Sequence, residues 1–263
     1  MPSSAPALRH VFITGASSGL GRALARHYAG RGARVGLVGR REDALRELAS
    51  TLPGEHSWYA MDVRDRAALH ASAADFLSRC GGTVDVVIAS AGISAGTLTQ
   101  QAEDFDVFQS IVQTNLLATV ATFEPFIAGM RRARAGRLVG IGSVAGVRGL
   151  PGAGAYSASK AAVAVYCESL RTELARDGIR VVTIAPGYIR TAMTEHNPYR
   201  MPFLMEADDF AARAATAIAR GHSYRVIPWQ MGVAAKLMRL LPDALYDRLA
   251  RNAPRKPRQG GPR

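Results

Sequence analysis

The chain is 263 residues long, 48% hydrophobic and 21% charged, with 33 Lys and Arg against 21 Asp and Glu for a formal charge of +12. This composition suits one large α/β domain or two small ones with a sizeable core, and it excludes a low-complexity or disordered chain. Cys80 and Cys167 stand far apart without a partner motif and six histidines are scattered, so no disulfide framework and no metal site is implied.

Met1 to His10 is rich in Ser, Pro and Ala and runs straight into an apolar strand, without the apolar region of a secretory signal. No uninterrupted apolar run approaches the roughly 20 residues that span a bilayer. A reducing, cytoplasmic setting is the expectation. Short β-branched runs at His10–Thr14, Arg34–Val38, Ser57–Ala60, Val84–Ala89, Arg137–Ile141, Arg180–Ala185 and Tyr224–Pro228 read as strands. Helical segments separate them at about 19–31, 41–52, 65–79, 103–131, 155–176 and 207–220. Near-continuous apolar strands interleaved with helices predict a parallel sheet covered on both faces. The expected architecture is a Rossmann-like, doubly wound α/β domain of about seven strands over residues 8–229.

The turn after the first strand reads Thr14-Gly15-Ala16-Ser17-Ser18-Gly19-Leu20-Gly21. Glycines there let the backbone approach a pyrophosphate, whose charge the following helix N-terminus favours. Gly15, Ser17, Ser18, Gly19, Leu20 and Gly21 are therefore candidate cofactor contacts, although many such turns use glycine for geometry alone. The second strand ends in Gly39-Arg40-Arg41, where a site for NAD would place a carboxylate. Two guanidiniums suit the 2′-phosphate of NADP(H), so NADP is favoured over NAD. The alternative is that Arg40 and Arg41 merely start the next helix, partly neutralised by Glu42 and Asp43. Asp62 and Val63 close the third strand, where they could hold an adenine edge. Ser90-Ala91-Gly92 closes the fourth and Pro186-Gly187 the sixth, all at strand ends where open sheets bind ligands.

Tyr156 and Lys160 lie four apart in a helical segment, so they share a face, and Ser143 stands just upstream. An ammonium beside the phenol favours phenolate and is expected to lower the tyrosine pKa toward neutrality, which makes a general acid–base. Lys160, Lys236 and Lys256 are the three lysines of a chain that otherwise uses arginine. A titratable ammonium is a plausible reason for a lysine at position 160.

This ordered set resembles the short-chain dehydrogenase/reductase family, in its single-domain branch. The resemblance covers roughly residues 10 to 192, plus a last helix and strand to 228, and rests on TGASSGLG, Asp62-Val63, SAG at 90–92, Asn115, GSVAG at 142–146, YSASK at 156–160 and PGYIRT at 186–191. It implies that Tyr156 exchanges the proton while hydride passes between nicotinamide and carbon. Lys160 would bind the nicotinamide ribose, Ser143 the reacting oxygen, and Asn115, at a break in its helix, a proton-relaying water. Ile189 and Thr191 would meet the carboxamide end of the cofactor. Ser90 replaces the family's usual Asn, and Gly142 an often-seen Ser.

Beyond the motifs, residues 192–206 are expected to lie over the pocket as a lid, with Tyr199, Met201, Phe203, Leu204 and Met205 lining an apolar site or covering the core. Residues 230–251 read as an amphipathic extension broken at Pro242, with Val233, Leu237, Leu241, Leu245 and Leu249 on one side. That side is expected to pack on the domain or a second subunit, with a membrane surface as the less favoured alternative. Residues 252–263 are Pro-, Gly- and Arg-rich and are expected to be a disordered basic tail. The expected activity is NADPH-dependent reduction of a ketone or aldehyde, or oxidation of a secondary alcohol, by a homo-oligomer (dimer or tetramer). No nucleic-acid partner is expected. The rival is a non-catalytic cofactor-binding regulatory or nucleic-acid-binding protein on the same fold, supported by the basic tail.

Overall fold

The structure, a computed structural model, describes residues 8–195, 197 and 199–258. Seven strands form one sheet: β1 (His10–Thr14), β2 (Arg34–Gly39), β3 (Ser57–Ala60), β4 (Val86–Ala89), β5 (Gly136–Ile141), β6 (Ile179–Pro186) and β7 (Tyr224–Ile227). Their order is β3-β2-β1-β4-β5-β6-β7 and every pairing is parallel. The doubly wound fold expected from the alternating pattern is therefore the observed one.

The helices divide between the two faces as the strand alternation dictates. On one face Val11, Ile13, Val35 and Leu37 pack against Leu24 and Tyr28 of α1 (Gly19–Ala29), Leu45 and Leu48 of α2 (Glu42–Thr51), and Phe210 and Ile218 of α7 (Ala207–Arg220). On the other, Phe12, Val87 and Leu138 meet Phe76 of α3 (Arg66–Arg79), Phe123 and Phe126 of α5 (Ala118–Ala133), and Val163 and Cys167 of α6 (Gly154–Leu174). Gly36 leaves the room that Phe12 and Phe76 fill, since a Cβ there would sit 2.8 Å from one ring and 2.9 Å from the other. The predicted helix at 103–131 is not one regular α-helix. It runs as α4 (Asp104–Val112), a π turn over Gln113–Leu117, and α5. Its continuous length, 104–133, is long and apolar enough to cross a membrane by those measures, but Phe123, Phe126 and Met130 are buried in the core.

One expectation for the C-terminal region is corrected. The extension forms α8 (Trp229–Leu240) and α9 (Asp243–Ala250), broken at Pro242 as expected. Of the two surfaces expected for its leucine side, the domain is not the one used: Val233, Leu237, Leu245 and Leu249 face away from it, Leu237 with 61% of its surface exposed. Met231 and Ala235 are buried instead, and polar contacts hold the opposite side. Arg239 donates to the Val147 carbonyl, Tyr246 to that of Gly149, and Arg148 pairs with Asp243 while lying 4.1 Å from the Tyr246 ring centroid. The tail is what is corrected, because residues 252–258 fold back across the domain. Arg258 meets Asp104, which is 3% exposed, through Nε at 2.8 Å and Nη2 at 3.1 Å, and also pairs with Glu103. Pairing by a guanidinium suits a sequestered carboxylate and overrides the tail's disorder-prone composition. Residues 259–263 lie outside the described residues.

Candidate active site

The sheet order reverses between β1 and β4, and the crevice of an open α/β sheet forms there, beyond the strands' C-terminal ends. The residues of the glycine turn line one wall of this cleft. Gly15 has φ +73°, and a Cβ on it would lie 2.8 Å from the Ala91 backbone; one on Gly21 would strike the Gly15 carbonyl. Only hydrogen fits at either position. Ser18 precedes α1 in an extended conformation with no side-chain cap, so the first backbone donors of α1 remain available to an anion. The cradle fits a dinucleotide pyrophosphate.

At the adenosine end, Arg40, Asp62 and Val63 line the cleft. Arg40 is exposed and pairs with no carboxylate among the described residues. Arg41, a predicted contact, does not line the cleft; its guanidinium donates to the Ser17 carbonyl at 2.9 Å and braces the turn from outside. Asp62 is gripped by Arg64 at 2.7 Å, which, with the nearby charge of Arg40, holds its carboxyl below the usual range. One guanidinium, not two, is thus presented to the cleft.

At the other end Ser143, Tyr156 and Lys160 converge with Ala91, Gly92, Pro186, Gly187, Ile189 and Thr191. Ser143 begins a 3₁₀ turn, and its Oγ accepts from Ala145 N at 3.1 Å. Lys160 is buried, donates to the Ile141 carbonyl at 2.8 Å, and lies 5.9 Å from the Tyr156 ring centroid. Burial without a carboxylate pushes its pKa down to about 8. The expected lowering of the tyrosine pKa is not found. Loss of water around the Tyr156 phenol outweighs its hydrogen bond with Ser143 and moves it above the usual 10. Tyr156 keeps one flank open to the cleft.

Asn115 lies at the helix break expected for it. It sits in the π turn, 1% exposed, with its side chain fully engaged: Oδ1 accepts from Ile93 N at 2.8 Å, and Nδ2 donates to the Ile93 carbonyl at 3.0 Å and Ser159 Oγ at 2.9 Å. It ties the loop after β4 to α6 and does not line the cleft. Thr119 Oγ1 donates to its carbonyl at 2.8 Å.

The family model described as short chain dehydrogenase matches residues 9–200. The chain belongs to the short-chain dehydrogenase/reductase family. It is 38% identical over 246 residues to an uncharacterized oxidoreductase of Myxococcus xanthus (strain DK1622), covering 92% of this chain and 96% of that one. It is 34% identical over 183 residues to the 3-oxoacyl-[acyl-carrier-protein] reductase FabG of Vibrio harveyi, covering 70% and 74%. A solved short-chain dehydrogenase from Streptomyces avermitilis superposes with a TM-score of 0.79 at 26% identity, covering 92% of this chain and 95% of that one.

Several cleft residues of this short-chain dehydrogenase were not singled out from sequence: Gly39, Met61, Ile93, Thr114, Ile141, Ala192, Met193 and Thr194. Most adjoin a motif in sequence, so proximity to a motif is the signal that could have found them. Thr194 is held by its hydroxyl, which donates to the Ile189 carbonyl at 2.6 Å and fixes the start of the 192–206 segment. Further along, Met205 bridges Ile189 and packs partly on the core, while Phe203 is 55% exposed, so neither lines the cleft. Tyr199, Met201 and Leu204 are likewise outside its lining. His196 and Pro198 of the predicted lid lie outside the described residues.

Proposed function

We propose that this protein is an NADPH-dependent carbonyl reductase, acting in reverse on secondary alcohols, with Tyr156 as the proton donor. The observation that carries the reading is the convergence of Ser143, Tyr156 and Lys160 at one end of a cleft whose other end is a glycine cradle with an Arg40 that pairs with no carboxylate among the described residues. Bound NADPH would supply the hydride. Ser143 Oγ would donate to the substrate oxygen and hold it beside the Tyr156 hydroxyl, which would protonate the oxygen as charge develops there. A phenol held above 10 is protonated at neutral pH, the form needed for reduction. Lys160, by its buried charge, would stabilise the phenolate left behind and restrain the cofactor ribose. Asn115 would act indirectly by positioning Ile93 and α6.

The preference for NADPH rests on Arg40 as a donor to the 2′-phosphate. We also propose a cytoplasmic homo-oligomer: both cysteines are free and buried, and Phe105, Phe108, Leu117 and Val165 expose apolar surface on α4 to α6. The test is a panel of ketones and aldehydes with NADPH oxidation followed by absorbance, alongside Tyr156→Phe. Turnover that falls by about 10²–10⁴-fold in the folded variant is expected. Near-normal turnover in Tyr156→Phe would remove it from the mechanism, and absence of turnover with intact NADPH binding would favour the cofactor-binding rival.

A further inference from the structure

The returning C-terminal segment reaches the rim of the catalytic end of the cleft, where it places a cation that the proposed chemistry does not use. Its path is fixed at several points. Gly96 N donates to the Pro257 carbonyl at 2.9 Å, and Gly96 has no room for a Cβ beneath the Lys256 carbonyl. Gly152 packs against the Arg255 side chain, and Arg258 is locked to Asp104 and Glu103. The segment therefore lies between the loop after β4 and the loop that precedes Tyr156.

Lys256 is the residue this path leaves over. Its half-buried ammonium donates to Ser94 Oγ at 3.0 Å and, at a long 3.5 Å, to the carbonyl of Met193, which lines the cleft. Ser94 is two residues beyond Gly92, hence within about 7 Å of it Cα to Cα, and a Cβ on Gly92 would be 3.5 Å from Lys160 Nζ. The ammonium thus stands at the rim shared by the substrate loop and the start of the lid. It has three donors and two neutral acceptors, and it pairs with no carboxylate among the described residues. Anchoring does not explain it, because Arg258 performs that task with two carboxylates. A cation without a counter-ion, drawn partly out of water, gains most from an anionic ligand. Burial also lowers its pKa, in keeping with a charge that lacks a partner.

We propose that Lys256 is a specificity-determining residue that binds an anionic group, a carboxylate, on the substrate, so that the preferred substrates are oxo acids rather than neutral ketones. The proposal rests on the carbonyl-reductase reading of the same cleft. Its test separates the two by measuring binding as well as turnover. Isothermal titration of the full-length protein, with NADP⁺ present, would compare a series of oxo acids with their methyl esters. The same pairs would be assayed for kcat/KM with NADPH, in the unaltered protein, Lys256→Gln and Lys256→Arg.

The expected result is that at least one acid binds and reacts tenfold or more better than its ester. That ratio collapses in Lys256→Gln, chiefly through KM, and is largely restored in Lys256→Arg. Acid binding that depends on Lys256 without any turnover would uphold the anion site and sink the reductase reading. An acid-to-ester ratio near one in the unaltered protein, or one unchanged in Lys256→Gln, would overturn the proposal while leaving reduction intact. A loss of NADPH affinity in Lys256→Gln equal to the loss for the acid would place the ammonium on the cofactor and likewise overturn it.

Discussion

Replacing Lys160 with Met would remove a buried ammonium while keeping a side chain of similar length. With its pKa held at about 8 rather than 10.5, that ammonium destabilises the folded protein by about 3 kcal/mol at pH 7, at about 1.4 kcal/mol per unit. Because the folded pKa is depressed, the folded state binds fewer protons than the unfolded state between these two values. The penalty is therefore full below pH 8 and fades as pH climbs toward 10.5. By pH 9.5 about 1.4 kcal/mol should remain. Against this, Met strands the Ile141 carbonyl that Lys160 now satisfies, a loss of about 1–3 kcal/mol that does not vary with pH. The absolute stabilities of the two proteins are thus set by opposing effects, whereas the change in their difference isolates the charge. Urea unfolding followed by circular dichroism, with no cofactor added, should show the native protein gaining about 2 kcal/mol on Lys160→Met between pH 7 and 9.5. A difference that stays constant across that range would refute the claim that the ammonium is buried at a cost.

Three further outcomes follow from the cleft and its frame. Arg40→Ala should weaken NADPH by about 1.5–3 kcal/mol, roughly 10- to 150-fold, and leave NADH nearly unchanged in fluorescence titrations; equal losses would remove Arg40 from phosphate recognition. Gly15→Ala should lower stability by about 1–2 kcal/mol from its left-handed backbone alone, with more from the Ala91 contact, and a melting temperature equal to that of the parent would contradict the cradle. Deleting residues 253–263 should lower the melting temperature, because Asp104 loses Arg258 and Gly96 loses the Pro257 carbonyl; an unchanged melt would return the segment to the disordered tail read from composition.

What the sequence conveyed and what it hid divide along a physical line. Near-continuous apolar runs carry the strands, so burial on both sheet faces was legible in residues such as Phe12 and Ile13, which point opposite ways. The glycine turn and the Tyr156–Lys160 pair were legible because their geometry is local, set within one turn and one helical repeat. Contacts between distant residues leave no periodic trace. Arg258 finds Asp104 across 154 positions, and composition alone makes its segment look disordered. The amphipathic pattern of α8 and α9 identified two sides, but which side docks was decided by Arg239 and Tyr246, which reach the carbonyls of Val147 and Gly149, and by Arg148 of that loop, which reaches Leu241 and Asp243. Arg41 misled for a similar reason: two adjacent arginines look equivalent in sequence, while alternate backbone directions send one to the cleft and the other to Ser17.

The direction of the tyrosine shift bears on how such a site divides its labour. From sequence, the ammonium was expected to lower the phenol's pKa, yet Lys160 lies 5.9 Å from the ring centroid and is hydrogen-bonded to Ile141. Both groups are instead pushed toward their neutral forms by the same cause, loss of water: the phenol upward and the ammonium downward. Charging either one alone in this end of the cleft is unfavourable. A phenolate and an ammonium formed together would compensate each other, so transfer of the Tyr156 proton to a substrate oxygen is favoured most while Lys160 is charged. Reduction should therefore weaken as pH rises through about 8, where Lys160 loses its proton. The pH profile of kcat would test this: a falling limb near that pH supports coupling between the two groups, and a rate that holds level to pH 10 would show that the phenol acts without its lysine.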